Sequence, residues 1–372
     1  MMTKFGGLLA AALLLAAGVA RADDIKIAVA GPITGSDAAV GEQMRRGAEM
    51  AVADINAKGG LLGKKLVLQV GDDACDPKQA VAVANKFAVS GVAFVSGHYC
   101  SSTSIPASAV YADSGILEIT PASTNPAYTD EAAKKGWINV FRLCGRDDVQ
   151  GKVAGLYIAS HFKGKPVAII DDKTTYGKGL ADETRKALHV EGVTEVINES
   201  INQGDKDFSA LVSKMKQANV GVIYFGGYYT EAGLIVRQAK DQGLDAVLAG
   251  GDALVTSEFW KITGQAGKGT LMTFSPDPRN VPEAAPIVAE FKKQNYDPEG
   301  YTLYTYATVQ TFAAAVEKAK SVDIERVSKV LHSDKFSTVL GPIGFDEKGD
   351  VIGPGYVMFD WEDGKYAEIK KS

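Results

Sequence analysis

Hydroxyl side chains that could bind an anion follow one of the apolar runs of the sequence. After Phe94 and Val95 come Gly97 and then Ser101 and Ser102, where helical character begins. Ser101 or Ser102 could cap this helix, and its free N–H groups and positive dipole end would attract a carboxylate. A simple helix cap explains the same pattern, so this segment by itself assigns no ligand.

Further polar and aromatic residues follow other apolar runs. Ser123 and Thr124 lie in a proline-flanked segment whose backbone carbonyls could accept hydrogen bonds from a ligand. Later in the chain, Tyr176, Tyr228 and Asp252 each follow a different apolar run. In an open parallel sheet, ligands bind beyond the carboxyl ends of strands. One carboxylate with several aromatic rings suits an α-ammonium group and an aliphatic side chain.

The motifs of common enzyme classes do not occur in this sequence. Gly31 and Gly35 miss the dinucleotide-binding spacing, and neither a phosphate-binding loop nor a serine hydrolase elbow occurs. The four histidines are not at metal-ligand spacing, and we interpret His98 as a hydrogen-bonded histidine at a strand end. The acidic residues within 72–76 lack calcium-loop spacing and predict a solvated turn. We therefore predict a protein that is not an enzyme, with no catalytic residue, metal or cofactor.

Short β-branched runs alternate with longer helical patterns along most of the chain. The runs that predict strands are 25–30, 65–70, 92–95, 116–120, 166–170, 193–197, 220–225 and 246–249. The helical patterns include one opened by Pro77 and others over 208–217, 231–242, 285–294 and 304–320. This alternation is typical of a mostly parallel sheet covered by helices. Because the series restarts near residue 166, we predict an α/β protein with two lobes and a cleft between them.

The N-terminal segment has the features of a secretory signal. Lys4 precedes an apolar run that ends in Ala20-Arg21-Ala22, so we predict a signal peptide over residues 1–22, cleavage after Ala22 and a periplasmic protein. The run is shorter than the about 20 apolar residues of a membrane-spanning helix. Cleavage of residues 1–22 removes Lys4 and Arg21 and no acidic residue, so the formal net charge goes from −5 to −7. This acidic balance argues against nucleic acid as a partner and favours a small molecule or a protein.

Three cysteines remain after the predicted cleavage: Cys75, Cys100 and Cys144. In an oxidising compartment, one disulfide and one free thiol is the simplest arrangement. Cys75 and Cys100 each lie just beyond a predicted strand, and if these strands are neighbours, both thiols lie at one sheet edge. A bridge between them would add about 3 to 4 kcal/mol in the chain-entropy account. We expect Cys144 then to be buried, free and not catalytic.

Longer motifs carry a resemblance to a known family. They are Asp72-Asp73-Ala74-Cys75-Asp76-Pro77-Lys78-Gln79-Ala80, Gly97-His98-Tyr99-Cys100-Ser101-Ser102 and Thr120-Pro121-Ala122, with further matches at 53–60, 204–209 and 345–350. Through them the chain resembles the periplasmic branched-chain amino-acid (Leu/Ile/Val) binding proteins over essentially its whole length after the signal segment.

The resemblance implies a type I periplasmic binding fold with two Rossmann-like lobes and three interlobe crossings. We accordingly place residues 23–143 and 276–351 in an N-terminal lobe, and residues 144–275 and 352–372 in a C-terminal lobe. The family also implies closure of the lobes on a free amino acid, docking to the membrane permease subunits of an ABC importer, and a Cys75–Cys100 disulfide. We expect the protein to act as a monomer.

The resemblance also implies roles for individual residues. The Ser101 hydroxyl and nearby backbone amides would hold the α-carboxylate of the ligand. The Ala122 carbonyl, the Thr124 hydroxyl and the Asp252 carboxylate would hold its α-ammonium group, and four tyrosines would line the side-chain pocket. The predicted ligand-binding residues are Tyr99, Cys100, Ser101, Ala122, Ser123, Thr124, Tyr176, Tyr228, Asp252 and Tyr301.

Three departures from the family pattern affect the choice of ligand. Asp252 stands where the family carries a glutamate, Val40 replaces a loop tyrosine, and Tyr99 replaces a leucine. These exchanges alter the volume and polarity of the pocket, so a branched-chain amino acid is the first choice, with proline or an amino-butyrate-like ligand as alternatives. A function from another class is ligand sensing, with signalling through a membrane partner. A secreted hydrolase is a third, although the sequence shows no nucleophile with a base.

Overall fold

Five parallel strands form the first large sheet of this protein, whose computed structural model describes residues 24–370. The strands are β1 (Ile25–Gly31), β2 (Leu66–Asp72), β3 (Phe94–Gly97), β4 (Leu117–Thr120) and β5 (Val140–Arg142). Their order in the sheet is β2-β1-β3-β4-β5, and all neighbouring pairs are parallel. The residues of β3, β4 and β5 are all buried, as expected for a parallel sheet that is covered on both faces.

Helices cover this sheet on both faces, as the side chains of β1 show. Ile27 and Val29 join the core cluster that includes the first helix, whereas Ala28 and Ala30 join a separate cluster under the second and third helices. Alternate residues of a strand point to opposite faces of its sheet, so the two clusters lie on opposite sides. The helices of this part are α1 (Ala38–Ala57), α2 (Pro77–Ser90), α3 (Ser101–Asp113) and α4 (Ala127–Lys135).

The second large sheet has seven strands and follows in the chain. Its strands are β6 (Val167–Asp171), β7 (Ile197–Ser200), β8 (Val222–Gly226), β9 (Val247–Gly250), β10 (Leu271–Phe274), β13 (Val357–Glu362) and β14 (Lys365–Glu368). The order is β14-β13-β10-β9-β8-β6-β7, in which β13 pairs antiparallel with both β14 and β10 and the remaining pairs are parallel. Its helices are α5 (Asp147–His161), α6 (Thr175–Val190), α7 (Ser209–Gln217), α8 (Tyr229–Asp241) and α9 (Ser257–Thr263).

The segment between β10 and β13 returns to the five-stranded sheet. It contains α10 (Ala285–Lys293), α11 (Thr302–Ala319), α12 (Ile324–Ser333) and a hairpin of β11 (Phe336–Thr338) and β12 (Gly341–Ile343). Helix α11 packs on α1 and β3, where the rings of Phe94 and Phe312 stack with centroids 4.4 Å apart. Gly47 of α1 permits this close approach, because a β-carbon there would lie 2.2 Å from the Thr302 carbonyl oxygen.

The chain therefore passes between the two sheets three times, after β5, after β10 and before β13. This arrangement confirms the predicted α/β fold with two mostly parallel sheets. The lobe boundaries predicted at residues 143, 275 and 351 stay a prediction, and the signal peptide predicted at 1–22 lies outside the described residues. No helix within residues 24–370 combines the length and the apolar character that crossing a membrane requires.

Some predicted elements differ from the observed ones. The strand predicted over 193–197 begins only at its last residue and runs as Ile197–Ser200. Strand β5, with three residues, and the hairpin of β11 and β12 were not predicted, because such short segments leave little periodic pattern. The strands that precede Cys75 and Cys100 are not neighbours, since β1 lies between β2 and β3.

Candidate ligand-binding site

Asp252 is held by two tyrosine hydroxyls from different parts of the fold. It opens a 3-10 turn that follows β9, at the carboxyl end of that strand. Its Oδ1 accepts a hydrogen bond of 2.8 Å from Tyr176 in the first turn of α6. Its Oδ2 accepts one of 2.6 Å from Tyr301, the residue before α11. Helix α6 packs on the seven-stranded sheet and α11 on the five-stranded one. A single carboxylate therefore joins the two halves of the protein, each of which is built on one of these sheets.

Four tyrosine rings surround this carboxylate. The ring centroid of Tyr99 lies 5.7 Å from those of Tyr228 and Tyr301, and that of Tyr176 lies 5.2 Å from that of Tyr228. The rings enclose a small cavity between the two sheets. Its lining residues are Tyr99, Ala122, Tyr176, Tyr228, Asp252, Ala253 and Tyr301. The structure thus brings six of the predicted ligand-binding residues together and adds Ala253, which was not predicted.

The cavity places one acid among neutral hydroxyls. Burial raises the pKa of Asp252 above its ordinary value, and hydrogen bonds from Tyr301, Gln150 and Tyr176 lower it again in part. Burial also raises the pKa of each of the four lining tyrosines well above its ordinary value, so these side chains stay neutral. A cation brought to Asp252 would favour its ionised form, because an opposite charge nearby offsets the cost of burial.

The turn into α3 forms a second part of the site. Cys100 is the N-cap residue and Ser101 the first residue of the helix, and both are buried. No side chain within residues 24–370 caps this helix start, so the predicted cap by Ser101 or Ser102 is wrong. The Ser101 Oγ instead accepts a hydrogen bond of 3.2 Å from the backbone N–H of Asn125. The hydroxyl therefore ties α3 to the segment that follows β4.

Hydroxyl groups also fix the backbone of that segment. The Thr120 Oγ1 donates a hydrogen bond of 2.6 Å to the carbonyl of His98 and accepts bonds from the N–H groups of Ala122 and Ser123. The Ser123 hydroxyl lies within hydrogen-bonding distance of the carbonyls of His98 and Tyr99, at 3.2 and 3.0 Å. The Ser123 side chain, predicted to bind ligand, therefore stabilises the two backbone segments that border the cavity.

Arg142 supports the same segment from β5. Its buried guanidinium donates hydrogen bonds to the backbone carbonyls of Ser123 and Asn125, at 2.9 and 3.1 Å. Its Nε forms an ion pair of 2.6 Å with Asp350. Charge-assisted bonds of this kind are stronger than neutral ones, so Arg142 holds the segment in a defined position.

Asp147 is a second buried carboxylate near the site and was missed in the sequence. It is the first residue of α5, and its N–H donates to the Thr124 carbonyl at 3.0 Å. Within the described chain, neither its carboxylate oxygens nor the Thr124 hydroxyl make a hydrogen bond of ordinary geometry. Burial first, and then the nearby Asp252, raise the pKa of Asp147 well above its ordinary value. Asp147 follows β5, the short strand that was not predicted, so the strand-end rule did not identify it.

The predicted disulfide joins the loops that follow β2 and β3. Cys75 and Cys100 are bonded, with their Cα atoms 5.6 Å apart. Although β1 separates the two strands, each cysteine lies three residues beyond its strand end, and the two loops meet over the end of β1. Cys144 is a buried free thiol, as predicted.

His98, close to the disulfide, is hydrogen-bonded as predicted, but its partner Asp73 corrects the expectation of a solvated turn at residues 72–76. His98 Nδ1 lies 2.5 Å from Asp73 Oδ2, and Nε2 lies 2.9 Å from the Tyr111 hydroxyl. Asp73 is completely buried, so the acidic segment at 72–76 is not simply a solvated turn. Its Oδ1 also accepts a bond from the N–H of Cys75, which places this acid inside the loop beside the disulfide.

Two further hydrogen bonds connect the halves of the protein beside the cavity. The Asn125 side-chain amide donates to the carbonyl of Thr175 at 2.8 Å, and the Tyr229 hydroxyl donates to the carbonyl of Ser36 at 2.6 Å. Asn125 and Ser36 follow strands of the five-stranded sheet, whereas Thr175 and Tyr229 open α6 and α8. The structure thus has the two halves in direct contact around the cavity.

Comparison with known sequences agrees with this architecture. A family described as periplasmic binding protein matches residues 24–365. The Leu/Ile/Val-binding protein homolog 1 of Brucella suis biovar 1 is 50% identical over 373 residues, which cover 99% of this chain and 99% of the relative. The leucine-, isoleucine-, valine-, threonine- and alanine-binding protein of Pseudomonas aeruginosa is 44% identical over 355 residues, covering 94% of this chain and 93% of the relative.

Solved structures give the same result. A leucine-binding protein from Thermotoga maritima has a TM-score of 0.85 and 28% identity, covering 93% of this chain and 98% of the other. A branched-chain amino acid transporter substrate-binding protein from Streptococcus pneumoniae, in complex with isoleucine, has a TM-score of 0.84 and 28% identity, covering 94% and 100%. The predicted type I periplasmic binding fold is confirmed. The chain belongs to the periplasmic binding protein family, in the group of the Leu/Ile/Val-binding proteins.

Proposed function

We propose that this protein captures a free α-amino acid in the cavity around Asp252 and delivers it to the permease subunits of an ABC importer. The observation that carries the proposal is the buried Asp252 carboxylate, which accepts one tyrosine hydrogen bond from each half of the protein. An α-ammonium group bound there would offset the cost of burying this charge. The names of the relatives, and the neighbour solved with isoleucine, support an amino acid as the ligand.

The two charged ends of the amino acid would bind to different segments. The α-carboxylate would lie at the start of α3, a helix of 13 residues, where the Ser101 hydroxyl and backbone N–H groups can donate to it. The α-ammonium group would donate to the Ala122 carbonyl, the Thr124 hydroxyl and Asp252. Asp147 lies behind Thr124, and an ammonium group bound there would favour its ionised form, because an opposite charge nearby offsets the cost of burial.

The side chain of the ligand would lie among Tyr99, Tyr176, Tyr228 and Tyr301. These rings give an apolar wall that suits an aliphatic side chain, and the relatives make a branched-chain amino acid the first choice. Tyr99 is bulkier than the leucine of the family pattern, and Asp252 is shorter than the glutamate. Proline and an amino-butyrate-like compound are therefore the alternatives to include in a ligand panel.

The protein would bind its ligand without converting it. We further propose a periplasmic location after cleavage at Ala22 and action as a monomer, with the lobes 23–143 plus 276–351 and 144–275 plus 352–372 moving as two bodies about the crossings. Closure of such lobes around a ligand is a common hinge motion. It would present the ligand-bound form to the permease.

Mass spectrometry of ligand released from the denatured protein, followed by calorimetry with an amino-acid panel, tests this proposal. We expect Asp252→Asn to weaken amino-acid binding by about tenfold or more, because a charge-assisted hydrogen bond is lost. Asp245→Asn makes the same chemical change at an exposed position and serves as the control. If no amino acid is released and none binds, the proposal is wrong.

A further inference from the structure

Two buried acids from opposite halves of the protein lie beside the cavity, next to one turn: Ser36 before Asp37 accepts from Tyr229, and Asp172 contacts Gly227. Asp37 immediately precedes α1 on the five-stranded sheet, and Asp172 immediately follows β6 of the seven-stranded sheet. Each is 1% exposed. The charged groups that act most strongly on Asp37 are Glu231, Asp172 and Asp73, which are all acids. Asp37 Oδ1 and Asp172 Oδ2 have no hydrogen-bond partner among residues 24–370.

The position of each acid is fixed by its own hydrogen bonds. Asp172 Oδ1 accepts from the N–H and hydroxyl of Thr174, at 2.9 and 2.6 Å, which leaves Oδ2 free to face outward from that turn. A β-carbon at Gly227 would lie 2.8 Å from this Oδ2, so the carboxylate rests against the turn that presents Tyr228. Asp37 Oδ2 accepts from the Ser36 hydroxyl at 2.8 Å.

Two unpartnered hydroxyls connect these acids to the cavity. Tyr99 and Tyr228 are 4% and 2% exposed, both line the cavity, and neither hydroxyl has a hydrogen-bond partner in the described chain. After Tyr99, the charged groups that raise the pKa of Tyr228 are Asp172, Asp37 and Asp252, and Asp37 and Asp252 also raise that of Tyr99. Tyr228 packs against Tyr99 and against Tyr176, which bonds to Asp252, and Gly227 before it contacts Asp172, so both hydroxyls belong to rings next to these acids.

An aliphatic side chain leaves all these polar groups without a partner. Burying a carboxylate without a counter-charge is costly, and burial raises the pKa of both Asp37 and Asp172 to about 7. A cation placed between them would pair with two carboxylates and donate to two hydroxyls, which is the complement that such a cluster lacks. Because the acids come from opposite halves, the same cation would also hold the halves together.

We propose that the cavity also accepts α-amino acids whose side chain ends in an ammonium or guanidinium group, with this distal cation bound between Asp37 and Asp172 beside the Tyr99 and Tyr228 hydroxyls. The proposal rests on the proposed function, because Asp252 must bind the α-ammonium group of the same ligand. The inference differs from the proposed function at the distal end of the pocket, which it describes as a site for a cation and not as a purely apolar wall.

Calorimetry with pairs of amino acids that match in chain length tests the distal site. L-ornithine is compared with L-norleucine and L-2,4-diaminobutyrate with L-norvaline, at pH 8, where Asp37 and Asp172 are mostly ionised. In each pair a terminal ammonium replaces a methyl group. We expect at least one diamino acid to bind about tenfold or more tightly than its apolar partner, because a buried ion pair is gained.

Asp37→Asn and Asp172→Asn provide two independent variants. Each should reduce the ratio of the affinities for the diamino acid and its apolar partner toward one, whereas Asp245→Asn should leave this ratio unchanged. Thermal unfolding verifies that the variants fold. Binding of leucine or norleucine without binding of either diamino acid would overturn this inference and leave the proposed function standing. A preference that persists in both variants would also overturn it. If no amino acid of the panel binds, both the inference and the proposed function fail.

Discussion

The Tyr301 hydroxyl donates a hydrogen bond of 2.6 Å to Asp252 between two halves of the protein that carry separate sheets. Tyr301 precedes a helix on the five-stranded sheet, and Asp252 follows a strand of the seven-stranded one. The bond can exist only when the halves are close together. It therefore links the charge state of the proposed ammonium site to the relative position of the two sheets.

Tyr301→Phe should weaken amino-acid binding by about three- to tenfold, because it removes one neutral hydrogen bond to the carboxylate and one contact between the halves. Calorimetry measures the affinity, and small-angle scattering measures the compaction on ligand addition. Tyr157→Phe on α5, outside the cavity lining, is the control. An unchanged affinity in Tyr301→Phe would show that this bond does not contribute to the bound state.

Asp147→Asn should also weaken amino-acid binding, by less than Asp252→Asn does. The two carboxylates act on each other, since Asp252 is the charge that raises the pKa of Asp147 most strongly. A cation shared by both would couple them, so a double-mutant cycle should give an interaction energy of about 1 kcal/mol or more. Additive effects in the double variant would place Asp147 outside the ammonium site.

Arg142→Met should lower the free energy of unfolding by about 3 kcal/mol, because within residues 24–370 it leaves Arg146 as the only ion-pair partner of the buried Asp350. The carbonyls of Ser123 and Asn125 lose their donors in the same variant. Urea unfolding measures the change, with Arg185→Met on α6, in a more exposed ion pair, as the control. A loss below about 1 kcal/mol would mean that the ion pair is weak, as exposed pairs are.

The elements that the sequence predicts well are those with long periodic patterns. The strands β1, β6 and β8 lie within one or two residues of their predicted ends, and the second helix begins at Pro77 as predicted, because an apolar core selects those patterns directly. The same strand ends led to Tyr176, Tyr228 and Asp252, which the structure brings into one cavity.

Contacts that depend on the relative position of two sheets have no local pattern in the sequence. Asp37 and Asp172 are 135 positions apart in the numbering and look like ordinary loop acids. Their burial depends on tertiary contacts, among them the hydrogen bond from Tyr229 to the Ser36 carbonyl and that from the Asp172 N–H to the Gly226 carbonyl. Arg142 and Asp147 were missed for a different reason, since both belong to or follow the unpredicted β5.

The disulfide offers a test of loop closure that is independent of the ligand. Reduction of Cys75–Cys100, or the double change to alanine, should lower the free energy of unfolding by about 3 to 4 kcal/mol, as for a closed loop of this length. Urea unfolding with and without reductant measures it, and the double variant should not respond to reductant. An equal response in the double variant would indicate an effect of the reductant itself.

Acid should favour contact between the two halves when no ligand is bound. Burial raises the pKa of Asp37 and Asp172 from 3.8 to about 7 in the observed arrangement, and separation of the halves would return both toward the ordinary value. The arrangement with the halves in contact therefore binds more protons between about pH 4 and pH 7. Its stability is greatest at the acidic end of this window and falls as the pH rises through 7.

Small-angle scattering of the ligand-free protein should accordingly show a smaller radius of gyration at pH 5 than at pH 8. The double variant Asp37→Asn/Asp172→Asn should lose most of this difference, because amides do not titrate. The remaining dependence would come from other acids whose pKa is also raised by burial, which include Glu231, Asp147 and Asp252. Asp130 does not interfere, since Arg146 and Lys348 hold its pKa near 2, below the window. A radius that is larger at pH 5, or a double variant with an undiminished response, would contradict the burial of these two acids between the halves.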